Sequence, residues 1–155
     1  MLNNQHLLND ASLIKLQASK FLTFANLKIR MESNTKAINS ELLCDAVVKG
    51  IEELKGEGIS VLDLREIDSA VSDFFVICHA TSATQVRAIT NSIKKETRSN
   101  LSERPWHIEG LDNCEWVLID FSNVVAHVFM KEKRDFYRLE DLWADAKITT
   151  IDSAE

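Results

Sequence analysis

The run from Trp116 to Trp143, WVLIDFSNVVAHVFMKEKRDFYRLEDLW, constrains the fold of this chain more than any other stretch. Two β-rich segments, Trp116–Phe121 and Val124–Met130, are separated only by Ser122-Asn123, which suits a tight hairpin. Counting outward from that loop sets Phe121 opposite Val124, Asp120 opposite Val125 and Ile119 opposite Ala126. Leu118 then meets His127, Val117 meets Val128 and Trp116 meets Phe129. Side chains alternate between the two faces of a strand. One face therefore holds Val117, Ile119, Phe121, Val124, Ala126 and Val128, all apolar, and is expected to be core. The other holds Trp116, Leu118, Asp120, Val125, His127 and Phe129. That mixture suits a face covered only in part, or only by a partner. A one-residue slip in the hairpin would exchange the two sets.

Past the hairpin, Phe136, Leu139 and Trp143 recur at helical spacing with Leu142 and Ala146 alongside, which predicts one amphipathic helix docked on the sheet. Tyr137, Glu140 and Asp141 fall off that stripe and are expected to be wetter. Upstream, Ser40–Lys55 reads as a helix with Leu43, Val47, Ile51 and Leu54 on its buried stripe, ended by Gly56 and Gly58. Ile59–Leu64 and Asp73–His79 read as strands. Thr81 or Ser82 caps the next helix, whose stripe is Val86, Ile89 and Ile93. A short strand near Trp106–Glu109 follows Pro105. The sum is an α+β fold, an α/β sandwich: a mixed sheet of about five strands with helices mainly on one face. Residues 148–155 read as a disordered tail.

The residues carry little that breaks bonds. Cys78 and His79 are strand neighbours and point to opposite faces, and His107 and His127 have no ligand at helical or CxxC spacing, so a structural metal is not expected. Cys78 sits in an apolar strand, where a small buried hydrophobe is the ordinary role, and no GxSxG occurs. Nucleotidyl transfer needs two carboxylates at i and i+2 to hold Mg²⁺. Asp73 is followed at that position by Phe75, and Asp63 by Arg65, so no catalytic pair exists there. No cofactor is expected. His127 reads as a satisfied or half-exposed strand histidine rather than a pH switch. Trp116, on the mixed face, reads either as an interface anchor or as a residue covered by another part of the chain.

Charge divides the chain. Of its 18 basic and 24 acidic residues, residues 1–30 hold four basic and one acidic. The remainder, with 14 basic and 23 acidic, is strongly acidic, which disfavours direct nucleic-acid binding and favours a basic protein partner. Three cysteines without CxxC and without a secretory signal read as reduced thiols in a cytoplasmic protein, and no apolar stretch approaches a membrane span.

Several blocks in order resemble the ribosomal silencing factor family, also called Iojap. They are SDFFVICHATSATQVRAI from Ser72 to Ile89, and Glu109-Gly110 followed by Trp116, Leu118 and Asp120. After them come Val125, His127 and Val128, and then Arg134, Tyr137, Leu139, Glu140, Leu142 and Trp143. Ala80 and the Ser122-Asn123 turn stand where the family usually has glycine. The resemblance implies a nucleotidyltransferase-like fold over residues 37–147 and a translational repressor without catalysis. Such a factor binds the large ribosomal subunit at its basic protein number fourteen and sterically blocks joining with the small subunit when nutrients run short. Asp73, Glu109, Trp116, Asp120, His127, Phe129, Tyr137 and Glu140 are the expected partner-binding residues. Members of the family can pair in isolation, so a homodimer off the ribosome stays open. Two other roles stay open: a large-subunit assembly factor and, remotely, a divergent nucleotidyltransferase.

Residues 1–36 stand outside the resemblance as an N-terminal extension. They could be a targeting segment, a helical addition hinted at by Leu13, Leu16, Lys20 and Phe24, or sequence upstream of a true start at Met31; the last is favoured. Removing residues 1–30 is expected to leave thermal unfolding and co-sedimentation with large subunits unchanged. Loss of either would place the extension inside the working domain.

Overall fold

The structure, a computed structural model, describes residues 40–152. The expected extension and residues 153–155 lie outside that range. In chain order the elements are α1 (Ser40–Glu53), β1 (Glu57–Asp63), β2 (Phe74–Ala80), α2 (Ala83–Leu101) and β3 (His107–Glu109). They continue with β4 (Trp116–Asp120), β5 (Val124–Met130), α3 (Lys131–Tyr137), α4 (Leu139–Leu142) and β6 (Lys147–Ile151). The strands form one sheet in the order β3-β4-β5-β2-β1-β6. Among its pairs β2 and β5 run parallel and the others antiparallel, so the sheet is mixed, as expected.

The hairpin register is the one the two-residue loop demands. Trp116 pairs with Phe129 and Asp120 with Val125, and the Phe121 N–H donates to the Val124 carbonyl at 2.9 Å. Ser122 takes a left-handed φ of 83°, the conformation for which glycine is usual. The Asp120 carboxylate accepts from the Ser122 N–H at 2.6 Å and holds that conformation.

On the first face of the sheet lie α1 and α2. Val117, Ile119, Val124, Ala126 and Val128 are fully buried there with Val76 and Cys78 of β2, against Val47 and Ile51 of α1 and Val86, Ile89 and Ile93 of α2. Each of the valines and isoleucines among them contributes about 1.5 to 3 kcal/mol when removed from water. Ser82 caps α2, its hydroxyl accepting from the Gln85 N–H at 3.2 Å. The two helices cross closely at Gly50, where a Cβ would stand 2.7 Å from the Ile93 Cα. Helix α1 ends differently from expectation. The left-handed residue is Lys55 (φ 55°), the Gly56 N–H returns to the Ile51 carbonyl at 3.0 Å, and Leu54 lies beyond the helix, 36% exposed.

The second face is where the structure departs most from the sequence reading. The expected single helix over Phe136–Ala146 is broken: Arg138, at φ 47°, separates α3 from α4. The break re-aims the apolar stripe, so Leu139 is buried while Phe136 and Leu142 are 52% and 60% exposed. Residues expected to form a disordered tail instead supply a sixth strand, β6, which pairs antiparallel with β1 from Ile59↔Ile151 to Asp63↔Lys147.

Gly50→Ala tests the helix crossing. Alanine is normally the better helix residue, yet here the added methyl meets backbone. It is expected to cost about 1 to 3 kcal/mol of unfolding free energy in a urea titration. Leu42→Ala on the exposed side of the same helix should stay within about 0.5 kcal/mol.

Candidate interaction surface

Parallel pairing of β2 with β5 sets Phe75 beside Val125, Ile77 beside His127 and His79 beside Phe129 on the second face of the sheet. Antiparallel pairing adds Trp116 and Leu118 from β4. The chain covers much of this face with its own segment after β5. Trp143 packs edge-on to Phe75 with centroids 5.3 Å apart, and Tyr137 lies 5.1 Å from Trp116. Trp116 in turn stacks on Phe129 at 4.8 Å and 23°. Phe136 meets Tyr137 edge-on at 5.1 Å. A continuous aromatic row thus runs from buried Phe129 through half-buried Trp116 and Tyr137 to exposed Phe136.

One cation clamps the covering segment to the sheet. Arg134, at the end of α3, donates from Nε and Nη2 to Glu140 Oε1, from Nη1 to the Gly58 carbonyl and to His79 Nδ1 (2.9 Å), and from Nη2 to Ser60 Oγ (3.1 Å). All five guanidinium N–H groups therefore have acceptors. Burial and the neighbouring Arg134 charge hold the His79 pKa below its usual value, which keeps the ring neutral and able to accept. Around the clamp, Lys131 pairs with Asp135 (2.8 Å), Lys133 with Glu115 (3.1 Å) and Arg138 with Asp141 (2.6 Å). The cations of this segment are therefore each matched by a carboxylate, from within the segment except for Lys133.

The eight sequence-expected site residues divide into two groups. Trp116, His127, Phe129 and Tyr137 meet in the aromatic row, and Glu140 belongs to the Arg134 clamp beside it. His127 and Phe129 are almost fully buried, so they support the surface from beneath instead of forming it. Asp120 is 6% exposed and serves the hairpin turn. Asp73 sits before β2, its N–H donating to the Asn123 carbonyl at 2.8 Å, at the far end of the hairpin from Trp116. Glu109 lies on β3 paired with His107 at 2.9 Å. Gly110, next to it, has φ +88° and would set a Cβ 1.9 Å from the Trp116 carbonyl oxygen, so a glycine there lets the chain pass over β4. Sequence reasoning missed Phe75, Arg134 and Phe136 as site residues. Phe75 and Arg134 reach the site only through long-range pairing, and Phe136 was assigned to a buried stripe.

The Cys44 and Cys78 thiols are poor nucleophiles. Burial pushes both Cys44 and Cys78 up to about 12. Among the described residues no three His, Cys, Asp or Glu side chains are grouped to hold a metal ion, and no helix is long and apolar enough to cross a membrane. The arrangement presents shape, aromatic area and charge.

The mixed six-stranded sheet thus presents a second face lined with aromatic side chains and only partly covered by the chain itself. The family described as ribosomal silencing factor during starvation matches residues 37–155, and the chain belongs to it. It is 40% identical over 114 residues to the ribosomal silencing factor of Halalkalibacterium halodurans, covering 74% of this chain and 95% of that protein. A solved structure from Bacillus halodurans superposes with a TM-score of 0.60 at 37% identity, over 74% of this chain and 99% of that one. A mouse protein named mitochondrial assembly of ribosomal large subunit protein 1 is 28% identical over 108 residues, covering 68% of this chain and 47% of that protein.

His127 makes the aromatic row sensitive to acid. Trp116 Nε1 donates to His127 Nδ1 at 3.2 Å, so the neutral ring carries its proton on Nε2, which has no hydrogen-bond partner among the described residues. Burial lowers the His127 pKa from 6.5 to about 3. As pH falls below the unfolded value, the unfolded chain takes up a proton that the folded ring refuses. Stability is therefore full above about pH 6.5 and declines by about 1.4 kcal/mol per pH unit toward pH 3 on account of this ring. His79, shifted the same way, adds to the decline. Urea titrations at about pH 7, 5.5 and 4 should show a shallower decline for His127→Gln, which keeps an acceptor for Trp116 without titrating. A slope identical to that of the parent would contradict the assignment.

Proposed function

We propose that this chain represses translation by occupying the large ribosomal subunit, through the basic ribosomal protein number fourteen, so that the small subunit cannot join. The observation that carries this reading is the aromatic row from Trp116 to Phe136, whose outer members remain exposed after the chain has covered its own sheet. Aromatic side chains backed by a rigid, buried base are the usual anchors of protein interfaces. Blocking a joining surface needs affinity and placement only. The acidic excess of the body acts at longer range. It steers the approach to a basic partner and is screened by salt.

An assembly role for the large subunit is the second reading, favoured by the name of the mouse relative. The two separate on a sucrose gradient of cells lacking the protein. Silencing leaves precursor particles unchanged, whereas an assembly role makes them accumulate.

The anchor is tested with Phe136→Asp and Leu142→Asp, because both side chains are more than half exposed and their loss should spare the fold. Each is expected to weaken co-sedimentation with purified large subunits at least tenfold, with unfolding free energy changed by less than about 0.5 kcal/mol. Trp116→Ala should weaken binding more, by about 2 kcal/mol or more, with some added loss of stability because Trp116 stacks on Phe129. Full binding by all three would place the partner elsewhere. Binding of the parent protein that ignores salt would contradict the electrostatic component.

A further inference from the structure

An open groove of about 660 Å³ lies between the C-terminal half of α2 and the start of β3. Its lining includes Lys94, Lys95, Arg98 and Arg104, with Pro105 and Ile108 at its base. All four cations are exposed, and none has a carboxylate partner among the described residues. This contrasts with Lys49, Arg65, Lys131, Lys133, Arg134 and Arg138, each of which is ion-paired. No carboxylate lines the groove, although the body as a whole is acidic.

Folding does not account for the cluster. Basic residues in a last helical turn can offset the helix dipole, but of these four only Arg98 lies in the last turn of α2. Two carbonyls near the helix end are already satisfied, the Ser102 N–H donating to that of Arg98 at 3.0 Å and the Glu103 N–H to that of Thr97 at 3.1 Å. Lys94 and Arg98 sit one turn apart, where like charges repel. A charge arrangement that the fold does not use, concentrated in a concave site, attracts anions.

The chemistry points to a chain of phosphates. Cations repeat along the helix and continue past it to Arg104, forming a track instead of a single cradle. We infer that this groove binds the phosphodiester backbone of RNA. The net charge that argues against nucleic acid for the body does not describe this groove. The inference goes beyond the proposed silencing role: the groove lies with α2 on the first face of the sheet, and the aromatic row lies on the second. A factor seated on a ribosomal protein by one face would then touch ribosomal RNA with the other.

The test is fluorescence anisotropy with a labelled RNA hairpin of about 20 nucleotides, long enough to fill such a track, and the full chain. Four neutralised phosphates give binding that weakens about 50-fold to 150-fold between roughly 50 and 200 mM salt, for contacts to the loop or to the stem respectively. The combined variant Lys94→Gln, Lys95→Gln, Arg98→Gln, Arg104→Gln should lose that binding and most of its salt dependence. Circular dichroism should stay unchanged, since all four side chains are exposed. Neutralising Lys15, Lys20, Lys28 and Arg30 to glutamine in the full chain should leave the hairpin bound. Phe136→Asp should also retain hairpin binding while losing subunits, so failure of the silencing reading would leave this result standing. The inference is overturned if the parent does not bind the hairpin or if the groove variant binds it equally well. It is also overturned if binding follows the N-terminal cations, or if poly-glutamate or phosphatidylserine vesicles bind as tightly as RNA at the same salt.

Discussion

The guanidinium of Arg134 is the link on which the second face of the molecule depends. It joins a carbonyl of the β1 bulge, a hydroxyl of β1, an imidazole of β2 and a carboxylate of α4. The segment it fastens has short helices with few buried side chains, α3 having none, so packing alone gives it little hold on the sheet. A charge this sheltered must have its partners. Removing one member of a buried pair strands the other at a cost of several kcal/mol. The clamp therefore decides where Tyr137 and Trp143 lie, and through them how much of the sheet stays open.

That arrangement explains how a face can be both core and contact surface. Phe75, His127 and Phe129 form its floor, buried at 6% exposure or less. Trp116, Tyr137 and Trp143 are the half-buried layer above, and Phe136 and Leu142 the exposed rim. Rigid aromatic groups held by a packed floor lose little conformational freedom on binding, so more of their contact energy reaches affinity. The neutral, deeply buried His127 belongs to this floor. Its indole hydrogen bond orients Trp116, and the low dielectric that makes the bond strong also keeps the ring from charging.

The charge of the molecule is organised locally. Along α3 and α4 the cations are matched by carboxylates, Lys133 by Glu115 ahead of β4 and the others from within the segment, which leaves the aromatic rim without strong local repulsion for a partner. On the opposite face the groove between α2 and β3 gathers unmatched cations. An average over the chain describes neither place.

The hairpin, its register and the first-face core were determined by the sequence alone, because each follows from short-range rules. A two-residue loop sets the pairing of Trp116 with Phe129, alternation assigns the faces, and the stripe Val86, Ile89, Ile93 aims α2 at the sheet. Family membership was legible for the same reason, since its motifs are contiguous blocks. What only the tertiary structure decided lies at long sequence separation. Local periodicity favoured one helix through Phe136 and Trp143, but the reach of Arg134 to residues more than 70 positions away accompanies a left-handed break at Arg138 that turns Phe136 outward. Residues 147–151 carry no decisive strand pattern of their own and become β6 because the edge of β1 offers unpaired backbone groups. Asp120 looked like a surface carboxylate until the turn it stabilises was in place. The basic groove joins α2 to the start of β3, and only packing brings those cations to one side.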